Sequence, residues 1–295
     1  MKKRNLGEGV FQICNGLVLL IVSLVTLYPF LYVIFASFSD PLKLMGNSSL
    51  LLKPLGFSLG AYKKVFLNPS IYSGYMNTVF YVTVGTLVNI LATCMAAYVL
   101  SRKQFMLRRV LTIMFIFTMY FSGGLIPTYM LVNSLGLVNT RWSMIIPSAM
   151  STYNMIICRT YFVNSIPDEL YEAGQLDGCT PFKYLLRVVV PLSKPILAVL
   201  VLYYGVTKWN SYFDAMIYLK SQTMVPLQIV LRDILILNQV DYTMISDASA
   251  IAAQRGLTDL LKYSTIVVAS LPVLCIYPFV QKYFVKGVMI GAVKG

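Results

Sequence analysis

Six apolar segments, separated by polar ones, form the main pattern along this chain. Five of them are continuous, and another begins at Pro191 and is interrupted by Pro195. Each is about as long as the roughly 20 residues that a helix needs to cross about 30 Å of hydrocarbon. The predicted membrane spans are residues 13–37, 75–100, 110–132, 143–162, 191–212 and 263–284. The sequence therefore predicts an all-α membrane protein with six transmembrane helices in one domain over residues 1–295.

The first apolar segment follows Lys2, Lys3 and Arg4 and resembles the start of a signal peptide. Its stretch of about 22 apolar residues is longer than a signal core of about 7–15, and no small-x-small cleavage site follows it. We therefore predict that this segment is an uncleaved span.

Basic residues in the short loops predict the orientation, because Lys and Arg concentrate on the cytoplasmic side of a membrane. The link between the third and fourth spans carries only Arg141, whereas the link between the second and third carries four basic residues. Those four are Arg102, Lys103, Arg108 and Arg109. Both termini are therefore predicted to be cytoplasmic, with residues 38–74 and 213–262 facing outward. Residues 226–237 are apolar but too short to span, which predicts an interfacial or packed helix.

The composition agrees with a membrane protein. Of the 295 residues 58% are apolar and 12% are charged, whereas a soluble domain carries roughly 25% charged residues. A net charge of +13 would suggest nucleic acid as the partner of a soluble protein. Here Lys and Arg flank apolar segments and serve as anchors at the lipid interface, so no nucleic-acid partner is predicted.

Several kinds of chemistry are excluded by residue usage. The chain has no His, which removes His-based metal sites and Ser-His-Asp triads. Its five Cys are scattered without a Cys-x-x-Cys pair, so neither a disulfide framework nor a metal site is predicted.

An acidic segment, residues 167–181, follows the fourth predicted span. Its four carboxylates precede any basic residue, the first of which is Lys183. They are Asp168, Glu169, Glu172 and Asp177. The inner leaflet is negatively charged and attracts Lys and Arg, and a helix lying on lipid would show the opposite balance. The segment is therefore predicted to contact a protein.

The same segment carries the signals of two short helices joined by a bend. Ser165 to Asp168 offers a capping box, and an apolar face recurs at three-residue spacing through Leu170, Ala173 and Leu176. Gly178 stands where a left-handed C-terminal cap is needed. Thr180 and Pro181 then start a second helix as cap and first residue. The pattern predicts an elbow over residues 165–190.

The elbow resembles the permease signature of ABC importers. The matching residues are Glu172-Ala-Gly-Gln-Leu-Asp-Gly178 and Arg187-Val-Val-Val-Pro-Leu-Ser-Lys-Pro195. The chain departs from the signature at Gly174 and Cys179, where the family usually has Ala, and at Val190, where it has Leu. These are conservative exchanges between small or apolar residues.

Four further stretches are similar to the carbohydrate-importing branch of this family, so that the resemblance covers nearly the whole chain. They are residues 124–129, 135–140, 208–210 and 287–295.

The resemblance implies a bacterial cell-membrane permease with the type I importer fold and a cytoplasmic coupling helix between spans four and five. It implies a second homologous permease in a heterodimer, two ATPase subunits and an extracellular binding protein that delivers an oligosaccharide. The implied coupling residues are Glu172, Ala173, Gly174, Leu176, Asp177, Gly178 and Pro191. No Gly-x-x-x-x-Gly-Lys-Ser/Thr loop occurs. We therefore predict that this non-catalytic chain binds no cofactor and that the partner ATPase uses ATP and Mg.

Polar and aromatic residues within the spans are candidates for a substrate pathway, because sugar sites combine hydrogen-bonding side chains with aromatic faces. The candidates are Asn77, Asn89, Tyr153, Asn154, Trp209 and Asn210. Hydrogen bonding between helices is an alternative role for such residues. Lys208 and Trp209 are alternatively an anchor and an aromatic belt at the lipid interface.

Two other classes of protein fit this sequence less well. An ion-coupled secondary transporter of a small polar solute usually needs mid-membrane carboxylates, yet spans one to four contain none at mid-span, and Asp214 lies near an outer edge. A membrane-embedded enzyme needs convergent catalytic groups, whereas this chain has no His and confines its carboxylates to loops.

Overall fold

Helices form all of the regular secondary structure in the part of the chain that the computed structural model describes, residues 6–237, 256, 258–276 and 278. The predicted all-α class is therefore confirmed for these residues. In chain order the helices are α1 (Leu6–Ser37), α2 (Pro41–Met45), α3 (Gly60–Leu67), α4 (Pro69–Ser101), α5 (Arg108–Tyr120), α6 (Leu125–Ser134), α7 (Thr152–Ser165), α8 (Asp168–Leu176), α9 (Pro181–Tyr184), α10 (Val190–Leu192), α11 (Lys194–Trp209), α12 (Phe213–Tyr218), α13 (Leu227–Arg232) and α14 (Thr258–Ile276). A 3₁₀ turn covers Arg141–Met144, and π-helical turns cover Leu185–Val189 and Asp233–Leu237.

The chain divides into two compact units. The first comprises Met1–Pro69 and Leu231–Leu271, and the second comprises Ser70–Val230 and Pro272–Gly295. The prediction of a single domain over the whole chain stays a prediction.

In the first unit, α1 exposes apolar side chains around most of its circumference, as a helix surrounded by lipid does. Its C-terminal end is fixed by polar contacts. The hydroxyls of Ser37 and Tyr62 lie 2.7 Å apart, and the rings of Phe38 and Tyr62 stack at 4.9 Å. These contacts connect α1 to α3.

The second unit has its core between α4, α7, α9 and α11. Tyr98, Phe162, Tyr184 and Leu200, one from each helix, are all buried in it. The elbow helix α9 therefore shares one core with α4, α7 and α11, and its Tyr184 ring contacts that of Tyr98 in α4 at 6.4 Å.

Three predicted spans correspond to single long helices. α1 and α4 contain residues 13–37 and 75–100 completely, and α14 covers the first part of residues 263–284. Apart from residue 278, the rest of that last span and the tail at residues 287–295 lie outside the described residues.

The third predicted span is a bent pair of helices, and the fifth, residues 191–212, consists mainly of α11, which follows a bend after the elbow residues Pro181–Leu192. α5 and α6 meet at 117°, and Pro181–Leu192 meets α11 at 86°. The first break contains Gly124 at φ +85°. The second lies at Ser193, because Pro195 has no amide to donate and its ring crowds the carbonyl four residues earlier.

The fourth predicted span, residues 143–162, is the least regular. The 3₁₀ turn is followed by non-helical residues 145–151 and then by α7, which has only 14 residues. Pro147 disfavours the helical conformation at Ile146. By length and composition the described residues contain three helices able to cross a membrane, or five if each bent pair is one crossing. Six spans and cytoplasmic termini stay predictions.

The short apolar stretch at residues 226–237 is helical, as predicted. α13 and the π turn that follows it cover Leu227–Leu237. Residues 238–255 and 257 of the predicted outward segment lie outside the described residues.

Candidate functional site

The first helix of the elbow, α8, ends in a left-handed glycine. Gly178 has φ +70°, which confirms the predicted cap. The Cys179 amide donates to the Gly174 carbonyl at 2.8 Å, and the Gly178 amide donates to the Gln175 carbonyl at 3.0 Å. These two bonds define a Schellman motif, which satisfies the last carbonyls of the helix. The bend is therefore fixed by the backbone itself.

The start of α8 differs from the prediction. Ser165 is the last residue of α7, and Pro167 is the N-cap of α8 without a side-chain cap bond. The predicted capping box is therefore wrong. Pro167 disfavours a helical conformation at Ile166, which is extended at φ −120° and ψ 103°.

The start of α9 agrees with its prediction. Thr180 is the N-cap, its hydroxyl accepts from the Lys183 amide at 3.4 Å, and Pro181 follows in the first turn. Thr and Pro therefore fix where the second elbow helix begins.

The predicted apolar face of α8 is exposed. Leu176 is 90% exposed, and Leu170 and Ala173 are exposed as well. The carboxylates of Glu172 and Asp177 lie on exposed residues beside them. Within the described chain, this apolar and acidic surface is left uncovered.

Asp168 pairs within the chain. Its Oδ2 lies 2.7 Å from Lys103 Nζ, and the hydrogen bond from Lys103 keeps the pKa of Asp168 below its ordinary value. The stabilisation is present above the ordinary pKa of the carboxyl and is lost as the pH falls. Because both side chains are exposed to water, the pair contributes little to stability.

Arg102 lies among three tyrosine rings that join α4 to the elbow. Its Cζ is 5.0 Å from the ring centroid of Tyr98, 5.3 Å from that of Tyr171 and 5.9 Å from that of Tyr184. The residue is only 8% exposed. A guanidinium above aromatic faces is attracted by the ring quadrupole. In the sequence Arg102 is recognisable only as a topology signal, because its burial depends on Tyr171 and Tyr184, about 70 to 80 residues further along the chain.

Gly174 brings α8 close to α9. A Cβ at this position would lie 3.0 Å from Cδ2 of Tyr184, a buried ring. We expect Gly174→Ala, which restores the residue usual in the resembled family, to be destabilising here. Overpacking costs about 1–3 kcal/mol, against about 1 kcal/mol gained in helix propensity.

The measurement is thermal unfolding in detergent, in which Gly174→Ala should lower the Tm by a few degrees. Gly16→Ala is the matched control, because nothing lies within 4 Å of that Cβ. An unchanged or higher Tm for Gly174→Ala, with Tyr184 still buried, would contradict the expected clash.

A cavity of ≈ 950 Å³ lies in the second unit, near the upper end of the roughly 300–1,000 Å³ typical of ligand pockets. Three of the six pathway candidates line it, namely Asn89, Tyr153 and Asn154. Lys208 and Asp214 line it as well. The structure therefore brings together polar groups, tyrosines and two opposite charges that are distant in sequence.

The other three pathway candidates do not line this cavity. The Asn77 amide donates to the carbonyls of Thr223 and Val225 at 2.8 and 3.0 Å. Trp209 packs edge-on against Tyr75 at 6.0 Å. Asn210 caps α11 by donating to the Val206 carbonyl at 3.0 Å.

Lys208 is buried and does not extend to an interface. It is 6% exposed, and its Nζ donates to the Met144 carbonyl and the Ser148 hydroxyl, each at 2.6 Å. Trp209 is 7% exposed. The alternative of a snorkelling anchor and an aromatic belt is therefore wrong. An ionisable residue inside an apolar span is the signal that identifies Lys208 from sequence.

Among the residues that the structure describes, no cluster of three or more acidic or Cys side chains is placed to hold a metal ion. The exposed face of α8 and the polar lining of the cavity make the elbow and the cavity the candidate sites.

Comparisons with known proteins cover both sites. The family model described as binding-protein-dependent transport system inner membrane component matches residues 89–290. The chain is 40% identical over 287 residues to protein LplC of Bacillus subtilis (strain 168), which covers 97% of this chain and 95% of LplC. It is 39% identical over 280 residues to the polygalacturonan/rhamnogalacturonan transport system permease protein YtcP of the same strain, covering 94% and 96%.

A solved structure is similar along nearly the whole chain. It is the crystal structure of a bacterial ABC transporter involved in the import of the acidic polysaccharide alginate. The TM-score is 0.87 at 31% identity, covering 96% of this chain and 100% of that chain.

Proposed function

Because the chain belongs to the family of binding-protein-dependent transport system inner membrane components, we propose that it is the permease of an ATP-driven carbohydrate importer in which α8 couples to the ATPase. The family is an inner-membrane one and its members are transport subunits. One relative is named for polygalacturonan/rhamnogalacturonan transport, and the similar solved transporter imports alginate. These names support an oligosaccharide as the substrate.

The proposed assembly has a second permease, two ATPase subunits and an external binding protein. This chain has no phosphate-binding loop of the Gly-x-x-x-x-Gly-Lys-Ser/Thr type, so ATP and Mg are used by the ATPase subunits. The proposed topology keeps six spans with both termini in the cytoplasm. The elbow then lies on the cytoplasmic side, where the ATPase is.

The exposed surface of α8 is the observation that carries the proposal. Leu176 is an apolar side chain that no part of the described chain covers, and Glu172 and Asp177 flank it. A surface of this kind fits an apolar groove with basic residues at its rim. The Schellman bend at Gly178 and the Arg102 cluster make the elbow rigid, so a movement of the ATPase is passed to α4 and α11.

The cavity is the proposed path of the oligosaccharide through this subunit. Asn89 and Asn154 supply hydrogen-bonding groups there, and Tyr153 supplies an aromatic face. The family membership favours this function over an ion-coupled secondary transporter.

The coupling proposal is tested with Leu176→Asp. Burying a leucine contributes about 1.5–3 kcal/mol, so its loss weakens docking at least about ten-fold. We expect the ATPase subunits to be depleted at least ten-fold when this variant is purified from the membrane, while its abundance there stays normal.

The matched control is Leu135→Asp, which places the same change on another exposed leucine outside the elbow. It should retain the ATPase. Full ATPase recovery with Leu176→Asp, or ATP hydrolysis by the purified chain alone, would contradict the proposed division of labour.

A further inference from the structure

Lys208 is a buried cation without an ion-pair partner in the described part of the chain. The ion pairs within the described residues are Lys103–Asp168, Arg232–Asp233 and Lys262–Asp259, and none includes it. Asp214 lines the same cavity and forms no ion pair with Lys208. An ammonium carries three N–H donors, of which two are used by Met144 and Ser148. One donor therefore has no acceptor among the described residues and remains for a ligand in the cavity.

The path of the Lys208 side chain is built into the fold. A Cβ at Gly85 would lie 3.1 Å from Cε and 3.3 Å from Cδ of Lys208. Glycine at this position of α4 therefore leaves room for the lysine stem. A lysine that only anchored the chain would instead extend its ammonium into water.

An unused acceptor lies on the same cavity wall. Asn89 is fully buried, its Nδ2 donates to the Ser148 carbonyl, and its Oδ1 has no partner in the described chain. Lys208 donates to the hydroxyl of the same Ser148. Ser148 therefore contacts both Lys208, which has the remaining N–H donor, and Asn89, which has the unpaired Oδ1 acceptor. A buried acceptor without a partner is costly, and a ligand hydroxyl would satisfy it.

From this arrangement we propose that Lys208 makes the permease selective for saccharides that carry a carboxylate, that is, oligosaccharides of uronic acids. The inference rests on the proposed function. The remaining N–H of Lys208 donates to the sugar carboxylate, and Asn89 Oδ1 accepts from a ring hydroxyl. Charge-assisted hydrogen bonds are stronger than neutral ones. With a neutral sugar the buried ammonium has no direct ion pair, because Asp214 lines the cavity but does not pair with Lys208, and a buried charge that lacks a direct partner is costly. The acidic sugar is therefore favoured.

The test compares two probes that share one sugar skeleton. Uptake of labelled trigalacturonate and of its neutral methyl ester is measured in cells that carry the complete transporter with an unchanged binding protein. Lys208→Met should lower the ratio of acid to ester uptake at least ten-fold. Lys208→Arg keeps the charge and should retain most of the ratio. Lys220→Met removes one charge from an exposed residue outside the cavity and should leave the ratio unchanged.

The ratio separates selectivity from a structural role, because misfolding lowers the uptake of both probes together. An unchanged ratio, or an equal loss of both probes, in Lys208→Met would overturn the inference. Wild-type uptake of the ester or of maltotriose without uptake of trigalacturonate would also overturn it, while the proposed function would stand. If none of the three saccharides were taken up, the result would count against both the selectivity for acidic sugars and the proposed carbohydrate import. Co-purification of the ATPase would then test the coupling role of α8 separately.

Discussion

Gly178→Val is expected to abolish sugar uptake while the chain remains in the membrane at normal abundance. Gly178 has φ +70°, where a β-branched side chain is strained by roughly 1–2 kcal/mol or more. Nothing lies within 4 Å of a Cβ added there, so the backbone conformation is the sole cause of the strain. Valine would break the Schellman bonds and turn Leu176 away from the ATPase.

The control for this variant is Gly178→Asn, because asparagine tolerates the left-handed region far better than valine does. It should keep most of the uptake and ATPase association, whereas valine should lower both at least ten-fold. Transport assays and quantitative co-purification measure the two effects. Wild-type uptake with Gly178→Val would show that the elbow is not the coupling element.

Arg102→Ala is the second change expected to have a large effect, uncoupling ATP hydrolysis from transport. The guanidinium lies among the rings of Tyr98, Tyr171 and Tyr184. Cation–π contacts contribute about 2 kcal/mol or more when desolvated. Without this contact α8 loses the cation–π link to the end of α4, and the Tyr98–Tyr184 ring contact at 6.4 Å is left to hold α9. We expect uptake to fall at least ten-fold while the assembled transporter still hydrolyses ATP.

Its neighbour in sequence provides the control. Lys103→Ala removes an exposed ion pair with Asp168, and such pairs contribute little, so uptake should stay near wild type. Arg102→Lys keeps the charge but loses the planar group that stacks on the rings, and an intermediate loss is expected. The measurement is the number of sugars transported per ATP in proteoliposomes. If Arg102→Ala kept that ratio, the Arg102 cluster would have no role in coupling.

The elbow shows which features of the structure local sequence signals can predict. Gly178 and Thr180 have the predicted conformations because caps depend on a few neighbouring residues. The predicted capping box at Ser165 was wrong because Pro167 imposes an extended conformation on the residue between α7 and α8. This competing signal lies within the same four residues as the predicted box.

The cavity shows a feature that local sequence signals cannot predict, namely which polar side chains line it. Asn77 and Asn89 are both asparagines in α4, yet Asn77 donates to carbonyls 146 and 148 residues away, whereas Asn89 lines the cavity. Which of them could meet a ligand depends on what packs against each turn of the helix, and the sequence of α4 contains no such information.

The sequence by itself determined the all-helical membrane class, the family and the form of the elbow, because hydrophobic length, charge position and turn chemistry act over a few residues. Only the tertiary structure decided that Arg102 and Lys208 are buried and that Gly174 lies against the ring of Tyr184. Each of these depends on distant parts of the chain, as the Lys208 contact with Met144 across 64 residues does. The physical reason is that burial and long-range hydrogen bonds each require two segments of the chain to lie against one another. Such segments meet only once the chain has folded.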